Sequence, residues 1–89
     1  MRTVFLRITG KVQGVFYRAT ANKVAGSLGL RGWVRNCEDG AVEALASGPE
    51  EKIAEFIAWC HQGPRKAVVE RVSVEDSKEP VGDTFHILR

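Results

Sequence analysis

One segment of the sequence places glycines and a cation where a phosphate could bind. Residues 10–18, Gly-Lys-Val-Gln-Gly-Val-Phe-Tyr-Arg, join a strand-like stretch to a helix-like stretch. The first backbone N–H groups of a helix have no partner within the helix, and the helix dipole adds partial positive charge there. A phosphate is a natural ligand at such a junction. Gly14 allows the backbone to curl so that successive N–H groups point toward the same anion.

Arg18 is the cation that we expect to bind this phosphate. It falls in the first turn of the predicted helix, where a positive side chain opposes the helix dipole. Its position therefore indicates an anionic ligand rather than a contribution to helix stability. Taken without further information, a tight connecting loop followed by a surface arginine explains the same residues equally well.

Asn36 is the second candidate, as the group that positions a water molecule. A side-chain amide can accept a hydrogen bond from water through its oxygen while its nitrogen donates to a phosphoryl oxygen. Asparagine is depleted in strands and enriched in turns, so that taken alone the residue is explained better as the start of a hairpin. The catalytic interpretation depends on its predicted position opposite residues 10–18.

The elements that must position these residues follow from the hydrophobic periods. Alternation of apolar and polar residues predicts strands, and apolar residues three and four apart predict helices. Strands are predicted over residues 3–9, 30–36, 41–47, 66–75 and 85–88, and helices over about 16–28 and 49–62. The second and third strands are joined by a turn that contains Asp39-Gly40, a strong hairpin signal.

This order, β-α-β-β-α-β with a short last strand, predicts an α+β ferredoxin-like sandwich. Its sheet is expected to be mostly antiparallel, with two helices packed on one face. The strand–helix–strand crossover makes strands one and two parallel, so their C-terminal ends lie at the same edge of the sheet. Residues 10–18 and Asn36 are therefore predicted to face each other. At this length, residues 1–89 are expected to form a single domain.

Composition and charge exclude several classes of function. The chain is 44% hydrophobic and 27% charged, which is typical of a soluble globular protein. Its formal net charge of +2 is too small, and too evenly mixed, to favour a nucleic-acid partner, and none is expected. Residues 10–18 fit neither the P-loop nor the dinucleotide-binding pattern of glycines.

The cysteines, histidines and N-terminus favour a cytoplasmic protein that has no metal or cofactor. Cys37 and Cys60 form no CxxC pair and have no histidines at metal-finger spacing, so neither a metal nor a cofactor is expected. His61 and His86 have no evident nucleophile partner. Arg7 interrupts the N-terminal apolar run, so we expect neither a signal peptide nor a membrane span. A monomer is the simplest expectation.

The sequence resembles the acylphosphatase family in two signatures. The first is residues 10–18, and the second is Gly32-Trp33-Val34-Arg35-Asn36 with Gly40-Ala41-Val42 and Gly48 after it. Length and element order are also similar, so the resemblance covers essentially the whole chain. One departure is Tyr17, where the family usually has Phe or Met. We expect the ring to pack as usual and the hydroxyl to need a partner or solvent.

The resemblance implies a metal-independent enzyme that hydrolyses small acyl phosphates to a carboxylate and inorganic phosphate. It assigns water positioning to Asn36. It assigns phosphate binding to the side chain of Arg18 and to the backbone of Gln13, Gly14, Val15, Phe16, Tyr17 and Arg18. Nothing in the sequence specifies a pocket for the acyl group. The alternative is a non-enzymatic ferredoxin-like module that binds an anion, a nucleic acid or a protein.

Overall fold

The computed structural model describes residues 1–88, which form five strands and two helices. Their bounds are β1 Arg2–Lys11, α1 Tyr17–Ser27, β2 Arg31–Asn36, β3 Val42–Gly48, α2 Glu50–Gln62, β4 Val68–Asp76 and β5 Phe85–Ile87. Each element lies where its hydrophobic period predicts it, with ends that differ by one or two residues. Neither helix in this part of the chain is long and apolar enough to cross a membrane.

The strands form one sheet in the order β4-β1-β3-β2-β5. β1 and β2 each pair antiparallel with β3, so they run parallel to each other on its two sides. β4 pairs antiparallel with β1, and the short β5 pairs parallel with β2. The predicted α+β ferredoxin-like fold with a mostly antiparallel sheet is confirmed. β1 and β2 also end at the same edge of the sheet, as the crossover predicts.

Both helices pack on one face of this sheet. The face is built from alternate residues of the two central strands, paired in register as Val4 with Ala46, Leu6 with Ala44 and Ile8 with Val42. The helices bury their own apolar residues in the same cluster: Tyr17, Ala21 and Ala25 from α1, and Ile53, Phe56 and Cys60 from α2. Each large apolar side chain buried here stabilises the fold by roughly 1.5–3 kcal/mol, which fixes α1 and its N-terminus against the sheet.

The opposite face carries an ion-pair network beside the edge where β1 and β2 end. Glu43 of β3 is the cross-strand neighbour of both Arg7 and Arg35. Its carboxylate lies 3.1 Å from Arg7 Nη1 and 2.7 Å from Arg35 Nη2. These guanidinium groups, Arg35 first, hold the pKa of the Glu43 carboxyl below its usual range. These cross-strand pairs of opposite charge stabilise the pairing of β1, β3 and β2 near this edge.

Gly10 lies in a strand and not in a loop, contrary to the sequence-based expectation. β1 continues to Lys11, and its register with β4 shifts between Thr9 and Gly10. Gly10 has φ 123°, and a Cβ at this position would lie 2.2 Å from the carbonyl oxygen of Val68. The glycine therefore permits a bulge where the backbones of β1 and β4 approach closely. The connection to α1 begins only at Val12.

Candidate active site

The connection between β1 and α1 carries backbone N–H groups that are free to bind a ligand. Within residues 1–88, the N–H groups of residues 13–18 donate to no backbone carbonyl, and the N–H of Thr20 is the next to do so, to Phe16 at 3.0 Å. Gly14 and Phe16 have left-handed backbone angles, with φ 74° and φ 66°. Such residues turn neighbouring N–H groups toward one point and form an anion-binding concavity. Residues 13–18 are called here the 13–18 loop, and the left-handed backbone at Gly14 is the curl that a phosphate-binding loop would use.

This loop and the end of β2 line one cavity of about 320 Å³. Its lining residues are Val12, Gln13, Gly14, Phe16, Tyr17, Arg18, Ala19, Asn36 and Ile87. The fold thus brings Arg18, Asn36 and most of the 13–18 loop together, although residues 18 and 36 are far apart in the chain. Val15 is the exception among the predicted site residues, because its side chain is buried in the core and only its backbone is available.

Arg18 differs from Arg7 and Arg35 in having no acidic partner among residues 1–88. Among residues 1–88, no carboxylate lies within ion-pair distance of its guanidinium. Arg7 and Arg35, in contrast, share the carboxylate of Glu43. Arg18 is the second residue of α1, so its charge adds to the positive end of that helix. No charge within residues 1–88 therefore compensates the guanidinium at the cavity, which favours an anion.

Asn36 is the last residue of β2 and lies opposite Val42 in the β2–β3 register. It is exposed, and it lines the main cavity together with Arg18. The same two residues line an adjoining cavity of about 310 Å³, with Arg35 and Leu88. A group bound where the two cavities meet is therefore within reach of both side chains. The amide offers that group one acceptor and one donor side.

Gln13 has a role that its sequence position did not reveal. Its Nε2 donates to the carbonyl oxygens of both Cys37 and Ala41, each at 2.8 Å. These carbonyls belong to the β2–β3 connection that directly follows Asn36. The Gln13 side chain therefore links the 13–18 loop by two hydrogen bonds to the hairpin that carries Asn36. Sequence reasoning assigned only the backbone of Gln13, since no spacing rule connects a loop glutamine to a distant turn.

The β2–β3 turn is itself held by Asp39. Its Oδ1 accepts the backbone N–H of Ala41 at 3.1 Å, and its carboxylate pairs with Arg7. The Ala41 N–H first, and Arg7 after it, hold the pKa of the Asp39 carboxyl below its usual range. A backbone bond of 2.8 Å from Cys37 N–H to the Ala41 carbonyl closes the turn. The hairpin that Gln13 contacts is thus fixed by its own hydrogen bonds.

The histidines and cysteines contribute no side chain to the cavity. His61 and His86 are exposed, and neither is among its lining residues. Cys37 and Cys60 are free thiols, and burial raises the pKa of Cys60 to about 12. In the part of the chain that the structure describes, no three His, Cys, Asp or Glu side chains are grouped to hold a metal ion.

Comparison with known proteins assigns the chain to a family. The acylphosphatase family model matches residues 4–87, which is nearly the whole chain. The chain belongs to the acylphosphatase family. It is 52% identical to acylphosphatases from Azoarcus sp. strain BH72 and from Haloquadratum walsbyi, over 93% and 92% of its length and over 85% and 88% of theirs. It is therefore an enzyme of a family whose reaction is the hydrolysis of acyl phosphates.

Solved acylphosphatase structures share the fold. The structure of the acylphosphatase from Bacillus subtilis superposes with a TM-score of 0.94 at 34% identity and covers 100% of both chains. The acylphosphatase from Coxiella burnetii also gives a TM-score of 0.94 at 34% identity, with coverage of 98% of this chain and 92% of that one. The sheet order and helix placement described above are thus those of this acylphosphatase fold.

Tyr17 anchors the start of α1 to the end of α2. Its side chain is 1% exposed, and its hydroxyl donates to the carbonyl of Cys60 at 2.7 Å. The last carbonyls of a helix have no partner within the helix, and this bond satisfies one of them. The ring also packs on Trp59, with 5.1 Å between centroids. The Tyr17 hydroxyl, which was expected to need a partner or solvent, therefore has a buried partner.

Replacing Tyr17 by Phe is expected to lower the free energy of unfolding by about 1–2 kcal/mol at neutral pH, because the buried Cys60 carbonyl loses its donor. Burial raises the pKa of Tyr17 above its ordinary value of 10.0. The neutral hydroxyl thus stabilises the fold below pH 10, and this stabilisation is lost as the pH rises further, because the unfolded chain then releases a proton that the folded chain keeps. The difference between the two proteins should shrink above pH 10 in urea titrations. A difference that grows there would contradict the assignment.

Proposed function

We propose that Arg18 and the 13–18 loop bind the phosphate of an acyl phosphate and that Asn36 places the attacking water. One observation carries this proposal: a single cavity is lined by Arg18, which has no acidic partner among residues 1–88, by a loop with free N–H groups and by Asn36. Each of these groups stabilises or orients something that the family reaction requires. No other residue of the cavity is assigned a chemical step.

In the proposed complex the Arg18 guanidinium binds two phosphoryl oxygens through its planar fork. The backbone N–H groups of the 13–18 loop donate to the remaining negative charge. Phosphoryl transfer requires mainly correct positioning and neutralisation of charge on the equatorial oxygens. A guanidinium and several fixed N–H dipoles supply both, and such charge-assisted bonds are the strong ones.

Asn36 acts on the water in this scheme. Its Oδ1 accepts a hydrogen bond from the water, and its Nδ2 donates to a phosphoryl oxygen, so that the water approaches the phosphorus in line with the leaving group. The leaving group is a carboxylate whose conjugate acid has a pKa of about 4, so it departs without a general acid. The proton of the water passes to a phosphate oxygen of the substrate. The chemistry itself therefore requires neither a histidine nor a metal ion.

Hydrolysis of benzoyl phosphate by the purified protein in EDTA tests the proposed function directly. p-Nitrophenyl phosphate serves as the matched control, because its phenolate is a poorer leaving group than a carboxylate. We expect rapid loss of benzoyl phosphate alone, with competitive inhibition by inorganic phosphate. Failure of a protein that is folded by circular dichroism to hydrolyse benzoyl phosphate would overturn the proposal.

We further propose that the protein is a cytoplasmic monomer that acts on a small-molecule substrate and has no nucleic-acid partner, with residues 1–89 as one acylphosphatase-like domain. The two free thiols are compatible with a reducing compartment. The net charge of +2 gives little attraction to a nucleic acid. The single sheet, which takes strands from Arg2 to Ile87, supports one domain. Analytical ultracentrifugation of the purified protein, which measures its mass in solution, tests whether it is a monomer.

A further inference from the structure

Phe16 combines three features that oppose local stability. Its side chain is 77% exposed, although it is a large apolar ring. It is also the one non-glycine residue with positive φ among residues 1–88, at φ 66° and ψ 22°. Finally, it is the N-cap of α1, where its side chain makes no capping hydrogen bond. Helices prefer Ser, Thr, Asp or Asn at this position because those side chains bond the free N–H groups.

The backbone geometry of the 13–18 loop does not explain why residue 16 is a phenylalanine. The anion-binding concavity requires a left-handed residue at position 16, but a glycine adopts that conformation at lower cost, as Gly14 does in the same loop. An asparagine would tolerate it as well and would also be a preferred N-cap. Departures from local rules that gather at one residue are expected where the residue serves a function.

The ring lies at the cavity. Phe16 lines the same space as Arg18 and Asn36, and the apolar side chains of Ala19 and Ile87 line it as well. At about 320 Å³, the cavity is of the size that holds small organic ligands, so it has room for more than a phosphate group. When the phosphate is bound by the backbone of the loop, Phe16, Ala19 and Ile87 are the apolar side chains at the cavity that can contact the acyl group.

We propose that the exposed ring of Phe16 contacts the acyl group of the substrate and makes acyl phosphates with aromatic acyl groups preferred substrates. This inference rests on the proposed function. Stacked or edge-to-face contacts between rings are favourable beyond the burial of their area. A flat aromatic acyl group that is conjugated to its carbonyl presents such a ring to Phe16.

Recognition of an anionic acyl group by Arg35 is the rival arrangement. Arg35 lines the adjoining cavity with Arg18 and Asn36. Its charge, however, is already compensated by Glu43, and its guanidinium lies over the Trp33 ring at 5.0 Å from the centroid. An anion bound by Arg35 would compete with Glu43, which accepts from its Nε and Nη2. A contact between an apolar acyl group and Phe16 involves no such competition.

The test compares the kcat/KM values for benzoyl phosphate and acetyl phosphate in each protein and reports their ratio. Phe16→Gly removes the ring and matches the left-handed backbone, and Phe16→Asn removes the ring while keeping a side chain. Both are expected to lower the ratio by about 3- to 10-fold. Phe16→Tyr keeps the ring and should leave the ratio within about twofold of the wild type. Effects on phosphate binding act on both substrates and cancel in the ratio.

Three outcomes would overturn the inference while leaving the proposed function intact. In the first, both substrates are still hydrolysed and the ratio is unchanged in Phe16→Gly and Phe16→Asn. In the second, the ratio falls in Phe16→Tyr as much as in the variants that lack the ring. In the third, the wild type prefers succinyl phosphate to benzoyl phosphate, and Arg35→Gln abolishes that preference. If the folded wild type hydrolyses none of these acyl phosphates, the proposed function itself fails.

Discussion

Arg18→Ala is expected to abolish turnover and to weaken the binding of inorganic phosphate at the same time. The substitution removes the one cation of the cavity that has no acidic partner within residues 1–88, and with it the two-pronged contact to the phosphoryl oxygens. Arginines that stabilise phosphoryl-transfer transition states contribute about 1000-fold or more to the rate. We expect a loss of this size in kcat/KM for benzoyl phosphate and a clear rise in the inhibition constant of phosphate.

Arg18→Lys and Arg2→Ala are the matched variants. A lysine keeps the charge but cannot reproduce the planar fork, so Arg18→Lys should also fail badly. Arg2 begins β1, at the end of the strand away from the 13–18 loop, where it pairs with Asp76. Arg2→Ala therefore removes the same charge far from the cavity and should leave kcat/KM nearly unchanged. Near-normal activity in either Arg18 variant would refute the assignment of Arg18.

Asn36→Ala is expected to lower kcat by roughly 100-fold or more while phosphate affinity stays nearly intact. The amide makes only one of the hydrogen bonds proposed for the phosphate, beside those of Arg18 and the loop N–H groups, whereas it alone orients the water. Its loss should therefore affect the transition state far more than phosphate binding. Asn36 is exposed at the end of β2, and its truncation should change the free energy of unfolding by no more than about 0.5 kcal/mol. The rate loss would then be chemical and not structural.

Asn36→Asp adds a contrast to this experiment. It preserves shape and the acceptor oxygen for water but places a negative charge beside the phosphate and removes the donor. We expect it to raise the inhibition constant of phosphate as well as to lower kcat, because the carboxylate repels the phosphate at short range. If Asn36→Ala weakens phosphate binding as much as it lowers kcat, Asn36 is a binding group and the assignment to the water is wrong.

The positions of the two candidate catalytic residues could be inferred from sequence because their placement follows from topology. Alternating Val4, Leu6 and Ile8 identify β1, and the crossover through α1 fixes β2 parallel to it. Parallel strands end at one edge, so the meeting of Arg18 and Asn36 in one cavity needed no knowledge of side-chain packing. Periodicity and connection rules sufficed for that part of the site.

The contacts that hold the site together were not predictable in the same way. The partners of Gln13 lie 24 and 28 residues away and are backbone carbonyls, which look alike in any sequence. The carbonyl that binds the Tyr17 hydroxyl belongs to the other helix, 43 residues away. Gly10 was expected in the connection after β1, but it lies in a bulge of that strand, where the backbone of β4 approaches closely. Each of these features depends on tertiary neighbours that a local pattern does not contain.

β3 separates the two strands that lead to the site, although no catalytic role is proposed for any of its residues. Neighbouring strands are about 4.8 Å apart, so the axes of β1 and β2 are held about 10 Å apart across it. Backbone hydrogen bonding within the sheet, and not side-chain identity, therefore sets the distance between the strand that leads to the 13–18 loop and the strand that ends at Asn36. Residues that face the acyl group can be exchanged in evolution or by design without changing that distance. One catalytic spacing can thus serve many acyl specificities.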